Sequence, residues 1–166
     1  NDVEELVYEG YASGGVAILV EAMTDNRNRT VAEVRHAFSK HGGNLGTDGS
    51  VAYLFTRLGV INYAPGQDEE QVMELALEAG AEDIESDEEG GITVTTPWET
   101  LGQVVESLTA QGLPPDHSEV TMMASNSSEC DLELAQKVLK LIDVLEDLDD
   151  IQEVYSNGQF PDEAYQ

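Results

Sequence analysis

Basic residues are scarce in this 166-residue sequence: seven Lys and Arg stand against 34 Asp and Glu, for a formal net charge of −27. A polyanion of that strength repels phosphate at long range, so contact with nucleic acid is restricted to the few places where cations gather. Cysteine is nearly absent. Cys130 stands alone, which excludes an internal disulfide and a thiolate metal cage and points to a reducing compartment, the cytoplasm by default. Long apolar runs are missing too: Val16 to Val20 stops at Glu21, far short of the roughly 18 residues that span a bilayer, so no membrane partner is expected. The sequence opens on Asn1 with neither a start methionine nor a basic-then-apolar leader, and reads as the interior of a longer chain.

Catalytic and cofactor signatures are equally lacking. His36, His41 and His117 come with no HExxH or CxxC spacing, and His36 and His41 lie about 140° apart round a helix, so they diverge. Asn44 to Gly49 lacks the alternating ligands of a calcium loop, and Phe55 stands where its closing Glu is required. Gly42 to Gly49 contains no Gly-Lys-Ser/Thr and follows a helical pattern instead of opening one, and no GxSxG occurs. No catalytic residue, metal or cofactor is expected, and the chain reads as a non-enzyme.

Apolar periodicity is present throughout. Val3 to Tyr11 and Val16 to Met23, separated by Ala12-Ser13-Gly14-Gly15, read as a β-hairpin. A helix follows Asn26, with Thr30 and Glu33 as its capping box, Val31, Val34 and Phe38 on its apolar face, and Gly42-Gly43 at its end. From Val60 the pattern becomes strand, helix (Asp68 cap to Ala79), strand, strand, helix (Thr96-Pro97-Trp98-Glu99 start, with Trp98, Leu101, Val105 and Leu108 buried), strand. That β-α-β-β-α-β order is the ferredoxin-like split unit. A helix over Cys130 to Leu148, with Ala135, Val138, Leu139, Ile142 and Leu145 inward, and a strand over Ile151 to Ser156 remain. The expectation is an α+β protein of two α/β-layered domains: a discontinuous one from 1–57 plus 126–166, and an inserted acidic ferredoxin-like one from 58–125, with junctions at Arg57-Leu58-Gly59 and Ala124 to Ser128.

Charge follows the same partition. Residues 1–57 hold 8 acids and 5 bases, whereas residues 58–136 hold 18 acids and no Lys or Arg. The bases Arg27, Arg29, Arg35, Lys40 and Arg57 sit beside the polar residues Asn26, Asn28, Asn44, Thr47 and Ser50, a composition suited to phosphate and base or ribose contacts. Caps, turns and an Asp25 ion pair would account for the same residues structurally. If the block is a recognition surface, its cations should face solvent unpaired. The alternative class is an acidic protein-interaction or ligand-sensing module, which calls for an exposed apolar patch on the inserted domain.

The block DNRNRTVAEVRHAFSKHGGNLGTDGSVAYLF, with YEGYASGG upstream and ALEAGAEDI and KLIDVLEDLDDIQEVYSN downstream, closely resembles the YebC/PmpR family, whose mitochondrial relatives include the translational activator of cytochrome oxidase subunit one. The resemblance covers essentially the whole sequence. It implies a cytoplasmic, non-enzymatic regulator of gene expression, described as a DNA-binding transcriptional regulator and linked to ribosomes, where it relieves stalls on difficult sequences such as proline runs. It also implies a preceding basic helical domain as the main contact to DNA or ribosomal RNA, and leaves the acidic domain for protein partners. Five clustered bases against −27 predict that residues 1–166 alone bind duplex DNA weakly or not at all at physiological salt, as fluorescence anisotropy would register; tight sequence-specific binding would overturn this.

Overall fold

A computed structural model of the chain describes residues 2–165. In chain order its main elements are β1 (Glu4–Tyr11), β2 (Ala17–Thr24), α1 (Arg27–Lys40), β3 (Asn44–Leu45), β4 (Phe55–Tyr63), α2 (Glu69–Ala79), β5 (Asp83–Ser86), β6 (Ile92–Pro97), α3 (Leu101–Ala110), β7 (His117–Ala124), β8 (Ser128–Glu129), α4 (Leu132–Glu146), β9 (Ile151–Ser156) and β10 (Gly158–Gln159). The chain is α+β and divides into two units, residues 1–56 with 124–166, and residues 57–123.

The first unit is built on a sheet of order β3-β1-β2-β9, antiparallel at every pairing. Side chains alternate across a strand, so Ile18, Val20 and Ala22 of β2 share one face with Leu6 and Tyr8 of β1. That face meets Val34 and Phe38 of α1 and Leu141 and Leu145 of α4 in one apolar core. Burying each such large side chain contributes roughly 1.5–3 kcal/mol. Two glycines permit the closeness of this packing. A Cβ on Gly10 would stand 2.7 Å from the Asn44 carbonyl oxygen and 2.8 Å from the Phe38 ring, and one on Gly43 would stand 2.4 Å from the Tyr11 carbonyl oxygen.

The opposite face of the same sheet is covered as well. Glu9 points there, and its carboxylate accepts hydrogen bonds from the backbone N–H groups of Gly49 (2.7 Å), Val51 (2.9 Å) and Ala52 (2.7 Å). The Tyr11 hydroxyl donates to the Ser50 carbonyl at 3.0 Å, and the Gly46 N–H to the Glu9 carbonyl at 2.7 Å. The polar segment after β3 is therefore fastened to β1, and Val51 within it is fully buried.

In the second unit the sheet order is β5-β6-β4-β7, which is second, third, first and fourth along the chain, the ferredoxin-like arrangement. Val72 and Ala76 of α2 and Val104 and Leu108 of α3 close over Ile61, Ile92 and Val94. Asp68 caps α2 by accepting from the Glu70 and Gln71 N–H groups, and the Tyr63 hydroxyl donates to the Leu113 carbonyl at 2.7 Å.

Local expectations fail at four places. α1 starts at Arg27 under the Asn26 side chain, so Thr30 is a buried residue inside the helix instead of its cap. Thr96 and Pro97 belong to β6, Thr96 donates to the Pro97 carbonyl, and α3 begins only at Leu101 without a side-chain cap. Trp98 is exposed, with the Arg57 guanidinium 5.5 Å above its ring; an Arg-covered tryptophan needs no place in the core. Leu141 is fully buried in α4 where Leu139 and Ile142 are half-buried. The junction read at Arg57-Leu58-Gly59 coincides with the division between the two units, and β4 runs through it.

Burial pushes the Glu9 carboxyl up, but the N–H groups of Gly49, Val51 and Ala52 outweigh it and hold the group below its ordinary value. Its contribution to stability is then complete above the unfolded pKa and lost as pH falls through the depressed folded value. Glu9→Ala leaves three inward N–H groups without an acceptor and is expected to cost about 2–4 kcal/mol at pH 7. Glu9→Gln, which mimics the protonated acid, should melt below wild type at neutral pH and converge with it in acid, as thermal unfolding from pH 7 to 3 would show.

Candidate nucleic-acid interface

The turn from β2 into α1 builds the first half of the candidate surface. Asn26 ends the extended segment, and its side-chain carbonyl accepts from the Arg29 N–H at 3.0 Å, filling one of the open donors of the helix start. Below it three groups converge on Asp150 Oδ2: the Thr30 hydroxyl at 2.8 Å, Arg29 Nη2 at 2.8 Å and the Thr24 hydroxyl at 3.1 Å. The Met23 N–H also donates to the Asp150 carbonyl at 2.8 Å. The end of β2, the first turn of α1 and the α4–β9 connection are thus tied at one carboxylate, which Arg29 first, and then Thr30, hold below the usual aspartate range.

The arginines of this end are committed. Arg29 also pairs with Asp25 at 3.2 Å, and Arg27 grips Glu4 through Nε and Nη2 at 3.3 and 3.2 Å. The cleft around Arg29, about 480 Å³, is flanked by Asp25, Glu33, Asp149 and Asp150. Such a lining repels phosphate. Arg27 and Arg29 face solvent as expected, but the expectation that they are unpaired fails, because the local acids are close enough to satisfy them.

Arg35 and Lys40 are different. Both are exposed, and neither has an ion pair among the described residues. Five residues apart, they sit about 140° round the helix from each other, so they serve two sides of α1 and not one strip. Arg57 belongs to the other unit and is stacked on Trp98. Among the polar candidates, Asn28, Asn44 and Thr47 are exposed, the Asn26 side chain is used as a cap, and the Ser50 hydroxyl is buried without a hydrogen-bond partner, which removes it from any contact surface.

Two cations were missed by the sequence reading. Lys137 and Lys140 of α4 line a cleft of about 430 Å³ together with Ser13, Lys40, His41, Gly42 and Gln136. They stand almost a hundred residues from Lys40, and only the pairing of α1 with α4 over one sheet brings them together; the one sequence signal was that these are all the lysines of the chain. Catalytic chemistry gains no footing at the lone thiol, since Cys130 is buried, and burial followed by Asp131 pushes its pKa up, away from the reactive thiolate. No group of three or more His, Cys, Asp or Glu among the described residues is placed to hold a metal ion, and no helix there is long and apolar enough to cross a membrane.

Comparison with known proteins places these features in context. The family model described as "TACO1/YebC second and third domain" matches residues 3–158. A probable transcriptional regulatory protein from Pseudomonas paraeruginosa is 63% identical over 99% of this chain, and one from Serratia proteamaculans is 61% identical over the same share. The chain spans 66% of the length of each. The crystal structure of a conserved hypothetical protein from Aquifex aeolicus matches with a TM-score of 0.78 at 47% identity, over 99% of this chain and 68% of that one.

Because the Asp150 carboxyl is held low by Arg29 and Thr30, its contribution is present above the ordinary aspartate pKa and disappears as pH falls through the folded value. Asp150→Asn should lower Tm by several degrees at pH 7 and narrow its gap to wild type in acid. Asp25→Asn, which removes only the more exposed partner of Arg29, should leave Tm nearly unchanged. Equal melting of Asp150→Asn and wild type by differential scanning calorimetry at pH 7 would refute the tie.

Proposed function

As the chain belongs to the TACO1/YebC family, we propose that it forms part of a regulator of gene expression that acts without catalysis through contact with nucleic acid, either DNA or the RNA of the ribosome, in the cytoplasm. Its relatives are named probable transcriptional regulatory proteins and extend beyond the length matched here, so most of the affinity is assigned to the rest of the protein. The observation that carries this reading is Arg35 on α1, exposed and without an ion pair among the described residues; Asn44 and Thr47 are exposed as well, and Thr47 leads into a loop that Glu9 and Tyr11 hold in one conformation. A fixed loop presents its polar groups without an ordering cost at the moment of contact.

A second reading has its own observation. On α2, in the unit that carries no Lys, Met73 and Leu77 lie one turn apart and are 39% and 52% exposed, an apolar pair on an acidic helix that suits a basic protein partner.

In the full-length protein, with the segment that precedes these residues in its relatives, Arg35→Ala should weaken association with ribosomes or promoter DNA and reduce the salt slope by about 1. Stability should change by less than about 0.5 kcal/mol. Unaltered nucleic-acid association in Arg35→Ala, together with loss of a protein partner in Met73→Ser with Leu77→Ser, would favour the second reading.

A further inference from the structure

The chain has three lysines, and all three line one cleft. Lys40 closes α1, Lys137 and Lys140 lie along α4, and His41, Ser13, Gly42 and Gln136 complete the lining. None of the three lysines forms an ion pair among the described residues, although acids outnumber bases 34 to 7 in the chain. Lys40 by itself is accounted for by the partial negative charge at the C-terminal end of α1. Lys137 and Lys140 are not, because they sit in the body of α4, well before its end at Glu146.

From this convergence we infer that the α1–α4 cleft is a phosphate-binding groove that holds the backbone of a single-stranded polynucleotide. The inference rests on the nucleic-acid reading above and adds a second contact, on the other side of α1 from Arg35. Three ammonium groups, each with three freely rotating donors, exceed what one small anion requires. Lys137 and Lys140, at i and i+3, stand roughly 5–6 Å apart at their Cβ atoms, so they can meet successive charges of a strand. The cleft is open on one side and no buried side chain encloses a single ion in it, which fits a polymer lying across it better than a captured phosphate. The lining holds no Phe, Tyr or Trp and only the His41 imidazole as a ring, so backbone contacts dominate over base stacking and make the expected contact largely indifferent to sequence.

With only three lysines, Lys-selective 15N labelling gives three side-chain signals. Titration of the 166-residue chain with a twelve-nucleotide oligouridylate at low salt should move all three Nζ signals together, while an equal concentration of inorganic phosphate moves them little. Lys137→Ala with Lys140→Ala should weaken oligouridylate binding about tenfold and lower the salt slope by about 1.5, near 0.7 per contact on single strands. Lys137→Arg with Lys140→Arg should restore most of it, and Arg27→Ala with Arg57→Ala, which removes the same charge elsewhere, should change affinity by less than about twofold. Silent lysine signals, a shift confined to Lys40, inorganic phosphate binding as tightly as the oligonucleotide, or equal losses from the two double variants would each overturn the groove. Arg35→Ala and the lysine variants are scored separately, so loss of ribosome or promoter association in Arg35→Ala alone leaves the proposed function standing and removes this site.

Discussion

A carboxylate buried between a sheet and the loop that covers it is costly unless its oxygens are used, and Glu9 uses both of them on three N–H groups of the segment 49–52. Much of the first unit follows from that placement. Alternation along β1 sends Tyr8 and Gly10 toward the helices and Glu9 and Tyr11 toward the loop, so one short strand organises two layers. Gly10 lets Phe38 and the Asn44 carbonyl close on one side, while its two neighbours hold the returning chain on the other. The helix that carries Arg35 and Lys40 and the loop that carries Thr47 are fixed to the same backbone for separate reasons.

Charge is organised as strictly as shape. Acids dominate everywhere, yet the cations are not scattered among them. Arg27 and Arg29 answer to Glu4, Asp25 and Asp150, Arg57 lies over Trp98, and the three lysines share one cleft. Where an acid is within reach, a cation is part of the architecture; where none is, it remains available to a partner. Proximity along the chain does not separate these cases, since Arg29 and Arg35 lie on the same helix and have opposite fates.

Element type was legible from periodicity, and caps were legible where side chain and backbone agreed, as at Asp68 before α2. The misreadings share a cause. Thr30 fits a capping box by spacing, but its hydroxyl is claimed by Asp150, a residue 120 positions away that no local window contains. Trp98 looks like core by hydrophobicity, but an arginine over its ring provides the cover that a core would. The candidate surface was half legible: Arg35, Asn28 and Thr47 are exposed, whereas Arg29, though exposed, is paired with Asp150 on a distant element and the Ser50 hydroxyl is buried, and Lys137 and Lys140 needed the fold before they could be grouped with Lys40.

The sheet order of the first unit has a temporal side. Its central strand β2 pairs with β1 at once, since only Ala12 to Val16 separates them, but its other neighbour is β9, where Val20 faces Val154. During synthesis, that second edge of β2, with its run of Ile18, Leu19 and Val20, stays open while more than a hundred further residues emerge, and an open apolar edge invites pairing with other chains. Residues 57–123 complete their own sheet within that interval. They add 15 acids and Arg57 to the nascent chain before α4 and β9 arrive, so the growing molecule carries a strongly anionic, already folded neighbour through the period when its own edge is exposed, and like charge keeps copies of it apart.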